Sequence, residues 1–326
     1  MARFLGNSAL GLTAALALAV FGTANVSAQE YPDKPINFIV GFSAGGFADS
    51  MGRIFAQGIS DQLGQPAVVE NRGGASGNIA ATSVAAAEPD GYTVLVTTAS
   101  LGLSQSTRND LTYDIGDLAA VAIPVSSPET LASHPSVPAK NLAELVEWAK
   151  TQESVTLGNA GIGTGSQVTT AYFLTQLAGL NNIKQISYKG GSKARQAAIS
   201  GEVQLVGSSN SVYPVIREGL LNGLAVAAED RHDAIPDVPT YIEQGYDDFA
   251  VSSWVGLFVP AGTDEAIQEK LNAAVNKMLE DPDIQKRLKD AGVVTHHRDL
   301  SEAKSFFDKD TGNWTEMVKA LGLASN

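Results

Sequence analysis

Residues 36–49 read INFIVGFSAGGFAD, an apolar run that breaks at Gly41 and resumes beyond Gly46 with a helical spacing of apolar residues. A short apolar run closed by glycines reads as a buried strand, and the residues that follow read as an amphipathic helix. Residues 155–168, VTLGNAGIGTGSQV, repeat that order. Strand, glycine loop and helix, met twice, point to an α/β fold built from two similar units.

The duplication extends outward from both loops. In the first half the glycine loop (Gly41–Gly46) and its helix are followed by a strand and Gly73-Gly74. A short helix and a strand ending in Thr97-Thr98-Ala99-Ser100 complete that half. In the second half the loop Gly158–Gly165 and its helix lead to a strand and Gly190-Gly191. Again a short helix follows, then a strand ending in Gly207-Ser208-Ser209-Asn210. The expected strands are Ile36–Val40, Ala67–Glu70, Thr93–Thr97, Val121–Val125, Val155–Gly158, Lys184–Tyr188, Val203–Val206 and Leu224–Ala227. The expected helices are Ala48–Gln62, Leu142–Thr151, Gly165–Ala178, Lys193–Ser200, Asp264–Glu280 and Ser301–Leu321. The pattern predicts two lobes with mainly parallel sheets flanked by helices. Residues 29–127 with 251–326 form the first lobe and residues 128–250 the second. Ligands of open α/β sheets bind beyond the carboxyl ends of the strands, here in a cleft between the lobes.

The first 28 residues have another character. Arg3 is the only charge before an apolar run from Ala9 to Phe21, and Val26-Ser27-Ala28 ends the segment with small residues. That is the pattern of a secretory leader cut after Ala28. The run falls short of the ~20 apolar residues needed to span a bilayer. The chain has no cysteine, which excludes disulfides, a thiol nucleophile, a lipoprotein anchor and Cys-based zinc sites. An exported chain without disulfides must rest on an apolar core, which 44% apolar composition permits, and a bacterial periplasm suits it best. The formal net charge is −13, or −14 without Arg3, which argues against nucleic-acid and anionic-membrane partners.

Gly41-Phe42-Ser43-Ala44-Gly45 is a literal G-x-S-x-G, the nucleophile elbow of serine hydrolases. An elbow needs an oxyanion donor from a loop after an earlier strand, and Ile36–Val40 is the first strand beyond the leader. An exported hydrolase using Ser43, with a base among His134, His232, His296 and His297, is therefore the alternative reading only. The second loop lacks G-x-G-x-x-G spacing and the acidic residue that a ribose requires, and no P-loop or metal-ligand spacing occurs. No cofactor is expected. Residues 154–201 contain Lys184, Lys189, Lys193 and Arg195 but neither Asp nor Glu. Together with helix starts that expose amide N–H groups, this segment suits an anion.

Several motifs then occur in order: Tyr31-Pro-Asp-Lys-Pro-Ile, Phe42-Ser-Ala-Gly-Gly-Phe-Ala-Asp49 and Gly64-Gln-Pro-Ala-Val-Val-Glu-Asn-Arg72. Pro89-Asp-Gly-Tyr92, Tyr188-Lys-Gly190, Leu224-Ala-Val226, Pro236-Asp-Val-Pro-Thr240 and Trp254 through Pro260-Ala-Gly-Thr263 follow. Over nearly the whole chain beyond the leader, this resembles the extracytoplasmic solute receptors of the tripartite tricarboxylate transporter family, the Bug-type receptors. The resemblance implies a monomeric periplasmic binding protein of type II-like, two-lobed architecture that is not an enzyme. It implies capture of a small organic acid and delivery to an integral-membrane permease. It places Phe42, Ala44, Gly45, Gly46, Phe47 and Asp49 at one end of the ligand, and Gly163, Thr164, Gly165 and Ser166 at the other. Ser100 and Ser208, at equivalent strand ends, are candidate wall residues. Asp49 would meet a ligand donor, or else cap its helix. Phe47, where the family usually has a small residue, would give an aromatic wall or face the core. Gly41 and Ser43 stand where prolines are frequent, and Gln167 stands where histidine is common.

Overall fold

The structure is a computed structural model that describes residues 31–322 and residue 324; the expected leader lies outside the described residues. The chain begins with β1 (Ile36–Val40), α1 (Phe47–Leu63), β2 (Ala67–Asn71), α2 (Asn78–Ala85), β3 (Thr93–Thr98), α3 (Ser100–Thr107) and β4 (Leu118–Pro128). Next come β5 (Thr130–Ser133), α4 (Leu142–Lys150), β6 (Val155–Asn159), α5 (Gly165–Ala171), β7 (Ile183–Ser187), α6 (Gly191–Ile199), β8 (Leu205–Ser208), α7 (Tyr213–Arg217) and β9 (Asn222–Val226). Last are β10 (Ser252–Pro260), α8 (Glu265–Met278), α9 (Pro282–Asp290), β11 (Val294–Thr295) and α10 (Leu300–Ala320).

Two sheets organise these elements, in the orders β11-β4-β10-β3-β1-β2 and β7-β6-β8-β5-β9. Each keeps the expected parallel core: β1 pairs with β2 and β3, and β6 with β7 and β8. Each also contains an antiparallel strand, so both sheets are mixed. β10 runs against β3 and β4, and β5 against β8 and β9. Parallel neighbours need a covering crossover, usually a helix. β5 follows β4 with only Glu129 between them, so it arrives in the second sheet without that constraint.

Side-chain alternation divides each sheet's core into two faces. Phe38 and Val40 pack with Met51 and Phe55 of α1 and Val275 of α8, whereas Ile39 packs with Ala80 of α2 and Phe258. Trp314 and Val318 of α10 join that second face, so the last helix belongs to the first sheet. In the second sheet Leu131 and Leu205 pack with α4, and Ala132 and Val206 with α6. Burial of four layers by alternating strands accounts for most of the stabilisation, at roughly 25 cal/mol per Å² of apolar surface removed from water.

The sequence reading missed β5, β10 and β11. Thr130–Ser133 is buried at all four positions, yet half its residues are hydroxyl-bearing, so no hydrophobic pattern marks it. Among the described residues no helix is long and apolar enough to cross a membrane.

Candidate ligand-binding cleft

The two glycine loops are alike in atomic detail. Gly45 has φ +74° and Gly163 φ +73°, the left-handed region that glycine enters without steric cost. In each loop that glycine's N–H donates to a side chain four residues on: Gly45 to Asp49 Oδ2 at 2.8 Å, Gly163 to Gln167 Oε1 at 3.2 Å. The second pair of loops matches as well, since Gly74 and Gly190 have φ +143° and +135°.

Asp49 anchors the first loop. Its carboxylate also accepts from Asn71 Nδ2 at 2.9 Å and pairs with Arg53 at 2.9 Å, while the same Asn71 amide donates to the Phe42 carbonyl. Asp49 is only 3% exposed. Burial works to raise its pKa, but the hydrogen bonds from Arg53, Gly45 and Asn71 outweigh it and hold the carboxyl below its ordinary value. In the second loop Thr164 caps α5, accepting from Gln167 N and donating to the Gly161 carbonyl at 2.7 Å. Gln167 in turn donates to Gln185 at 2.7 Å.

The lobes touch across the cleft. Ser43 N donates to the Lys189 carbonyl at 3.2 Å, and the Ser43 and Ser192 hydroxyls lie 2.9 Å apart. Ser76 Oγ donates to the Ile162 carbonyl. Between these contacts lies a cavity with about 430 Å³ of empty space. Phe42, Gly46 and Phe47 line it from the first loop, Thr164, Gly165 and Ser166 from the second, and Ser208 from the end of β8.

Five expected site residues do not line it. Ala44 and Gly45 are exposed, and the Gly45 and Gly163 N–H groups are engaged by Asp49 and Gln167. Asp49 acts on the loop rather than on the cavity. Ser100 is fully buried beneath the wall, with its hydroxyl donating to the Ser76 carbonyl at 2.9 Å; its neighbour Thr98 lines the cavity instead. Phe47 belongs to both worlds, packing in the first core and lining the cavity. Lys193 and Arg195 are not among the lining residues; Arg195 donates to the Ser211 carbonyl at 2.7 Å and so holds part of the wall.

Sequence reasoning missed Glu129, Ala48, Ala160, Gly191 and the hydroxyls of Ser209, Ser211 and Ser253. Gly191 was within reach, because the duplicated Gly-Gly pair marked it. Glu129 was marked only by being an isolated acid between β4 and β5. It is 2% exposed, its backbone is tied to Val251 and Ala227, and its Oε2 has no hydrogen-bond partner. Burial alone pushes its pKa up to about 8. Among the described residues it is the one ionisable side chain lining the cavity.

The lining is therefore rich in hydroxyls and in helix starts. The first-turn amides of α1, α5 and α6 lack acceptors within their own helices, and Gly46, Gly165 and Gly191 place all three at the cavity wall. Such amides suit a carboxylate without any basic side chain. Among the described residues, the Ser43 hydroxyl bonds to Ser192, and three of the four histidines bond elsewhere: His134 to Ser136, His232 to Ala234 N and His296 to Ser126. No group of three His, Asp or Glu is placed for a metal ion among the described residues.

Comparisons with known proteins agree with this geometry. Protein BugT of Bordetella pertussis is 31% identical over 306 residues, covering 92% of this chain and 93% of BugT. The structure of periplasmic binding protein BugD superposes with a TM-score of 0.86 at 31% identity, covering 91% of this chain and 100% of BugD. MatC from Rhodopseudomonas palustris, solved with bound malate, gives a TM-score of 0.83 at 30% identity over 88% of this chain and 100% of MatC. The family model described as tripartite tricarboxylate transporter family receptor matches residues 51–323. On that match and these likenesses, the chain belongs to the tripartite tricarboxylate transporter receptor family, the Bug-type solute-binding proteins.

Proposed function

We propose that the protein captures a small organic carboxylate in the periplasm and delivers it, as a monomer, to the membrane permease of a tripartite tricarboxylate-type transporter. The observation that carries this reading is the cavity between the lobes, with about 430 Å³ of empty space that is partly open to solvent, walled by helix-start amides and serine and threonine hydroxyls, with no basic side chain among the described lining residues. Carboxylates bind well to such oriented donors because the amide dipoles are fixed before the ligand arrives. Gly46, Phe47, Gly165, Ser166 and Ser208 would hold the ligand, with Asp49 and Gln167 stiffening the loops from behind. MatC, a relative, holds malate, which supports a dicarboxylate among the candidates. Residues 29–127 with 251–326 would move against 128–250 as the cleft opens. The breaks near Pro128 and Ser252, where the chain passes between sheets, support that division. A leader cut after Ala28 would export the chain.

A thermal-shift screen of mono-, di- and tricarboxylates, aliphatic and aromatic, tests the reading. A ligand at ~100 times its Kd should stabilise the protein by ~2.7 kcal/mol and raise Tm. If no organic acid moves the transition, the carboxylate reading is wrong.

A further inference from the structure

We infer that Glu129 selects the ligand: the cleft takes a carboxylic acid that also carries a protonated amine, and Glu129 receives that amine. This deepens the carboxylate reading and rests on it. Glu129 sits at the one-residue link between β4 and β5, where the two lobes join, and its side chain lines the cavity. Its backbone is fixed on both sides, by Glu129 N donating to the Val251 carbonyl at 2.9 Å and by Ala227 N donating to the Glu129 carbonyl at 2.8 Å. The carboxyl therefore has a set position, with Oε1 over Gly165 at the second loop. Oε2 is buried and unpartnered.

A buried carboxyl left without a partner costs stability, and such a group generally finds a compensating partner or a function. Among the described residues no lysine, arginine or histidine lines the cavity to provide one. The neighbouring ionisable groups are Tyr213 and Tyr241, and burial raises both far above neutrality, so neither supplies a charge. A partner can reach this carboxyl from the cavity, and a ligand ammonium suits it. An ammonium group would meet the carboxylate in a water-poor space where opposite charges attract strongly, while the ligand's own carboxylate faced the loop amides. A second carboxylate at the same place would meet like charge, or require Glu129 to stay protonated.

The proposal has a signature beyond affinity. With its pKa near 8, Glu129 is mostly protonated at pH 7 in the empty cleft. An arriving ammonium would ionise it, releasing most of a proton per ligand at pH 7. Calorimetry of the unmodified mature protein in two buffers of different ionisation enthalpy measures that release. The probes are pairs sharing a carbon skeleton, aspartate with succinate and 4-aminobutyrate with butyrate. The expected result is at least tenfold tighter binding of the amine-bearing member, with proton release. Glu129→Gln should remove both the preference and the release while the variant still binds a carboxylate. The assignment is overturned if succinate or butyrate binds as tightly as its partner without proton release, or if Glu129→Gln keeps the amine preference. Either result leaves the carboxylate reading intact; only silence from every organic acid in the screen would take both down together.

Discussion

The hydroxyls of Ser43 and Ser192 meet at 2.9 Å across the cleft, although 149 positions separate them in the chain. The serine of an apparent catalytic motif thus serves as a latch between two lobes. A neutral hydrogen bond of this kind contributes about 1 kcal/mol, and only in the closed form. Ser43→Ala is expected to weaken ligand affinity about fivefold, by lowering the closed population, and to leave the far-UV spectrum and ligand preference unchanged. Titration calorimetry on both proteins checks it; loss of a measurable esterase activity in the variant would instead favour a hydrolase.

Asp49 is expected to matter through the loop it holds. Asp49→Ala removes the acceptor for Gly45 N, Asn71 and Arg53. Arg53 is half exposed, so its ion pair adds little, and the buried hydrogen bonds set a cost of about 2 kcal/mol. Because the folded pKa is depressed, this stability is present above the ordinary value of 3.8 and lost as pH falls through the folded value. Urea midpoints should show a gap between wild type and variant at pH 7 that narrows below pH 3.8.

Glu129 has the opposite sign. Its carboxyl ionises at about 4.5 when unfolded and about 8 when folded, so the unfolded chain holds fewer protons between those values and stability falls as pH rises through that window. Glu129→Gln removes the penalty. Relative to wild type, the ligand-free variant should gain stability between pH 4 and pH 8, by at most about 3 kcal/mol at pH 7. Unfolding midpoints of both proteins at pH 4, 7 and 8 decide it, and an unchanged difference across that range would count against a buried, unpaired carboxyl.

Gly165 has no room for a side chain. A Cβ there would lie 2.8 Å from Glu129 Oε1 and 3.3 Å from the Trp314 ring. Alanine ordinarily favours a helix over glycine by about 1 kcal/mol, so Gly165→Ala should leave the fold intact but displace Glu129 and the loop. Ligand affinity should fall about tenfold or more while the Tm of the free protein moves by only a few degrees. Thermal shifts with and without ligand separate the two effects.

Much of the plan is legible in the sequence because it depends on local rules. The apolar run Ile36–Val40, the glycines that follow and the spacing of Met51, Phe55 and Ile59 specify strand, loop and helix without reference to the rest of the chain. Their recurrence at Val155–Asn159 and Gly165–Ala171 implied the second lobe. What stayed hidden depends on partners distant in sequence. β5 is polar by composition and is a strand because β8 and β9 hold it on both sides. Gly45, expected at the ligand, donates instead to Asp49, which was expected either at the ligand or at the helix start, and Ser100 bonds beneath the wall that Thr98 forms.

The sequence by itself determined the strand and helix periodicity and the two glycine loops, since these follow from the alternation of apolar residues and from glycine's freedom at the strand ends. The tertiary structure alone decided which groups face the cavity. That choice depends on how the two sheets and their helices pack, because packing brings Gly46, Gly165 and Gly191 to one cavity and places Glu129 among them, away from water. Burial and convergence are properties of the packed molecule, and no window along the chain contains them.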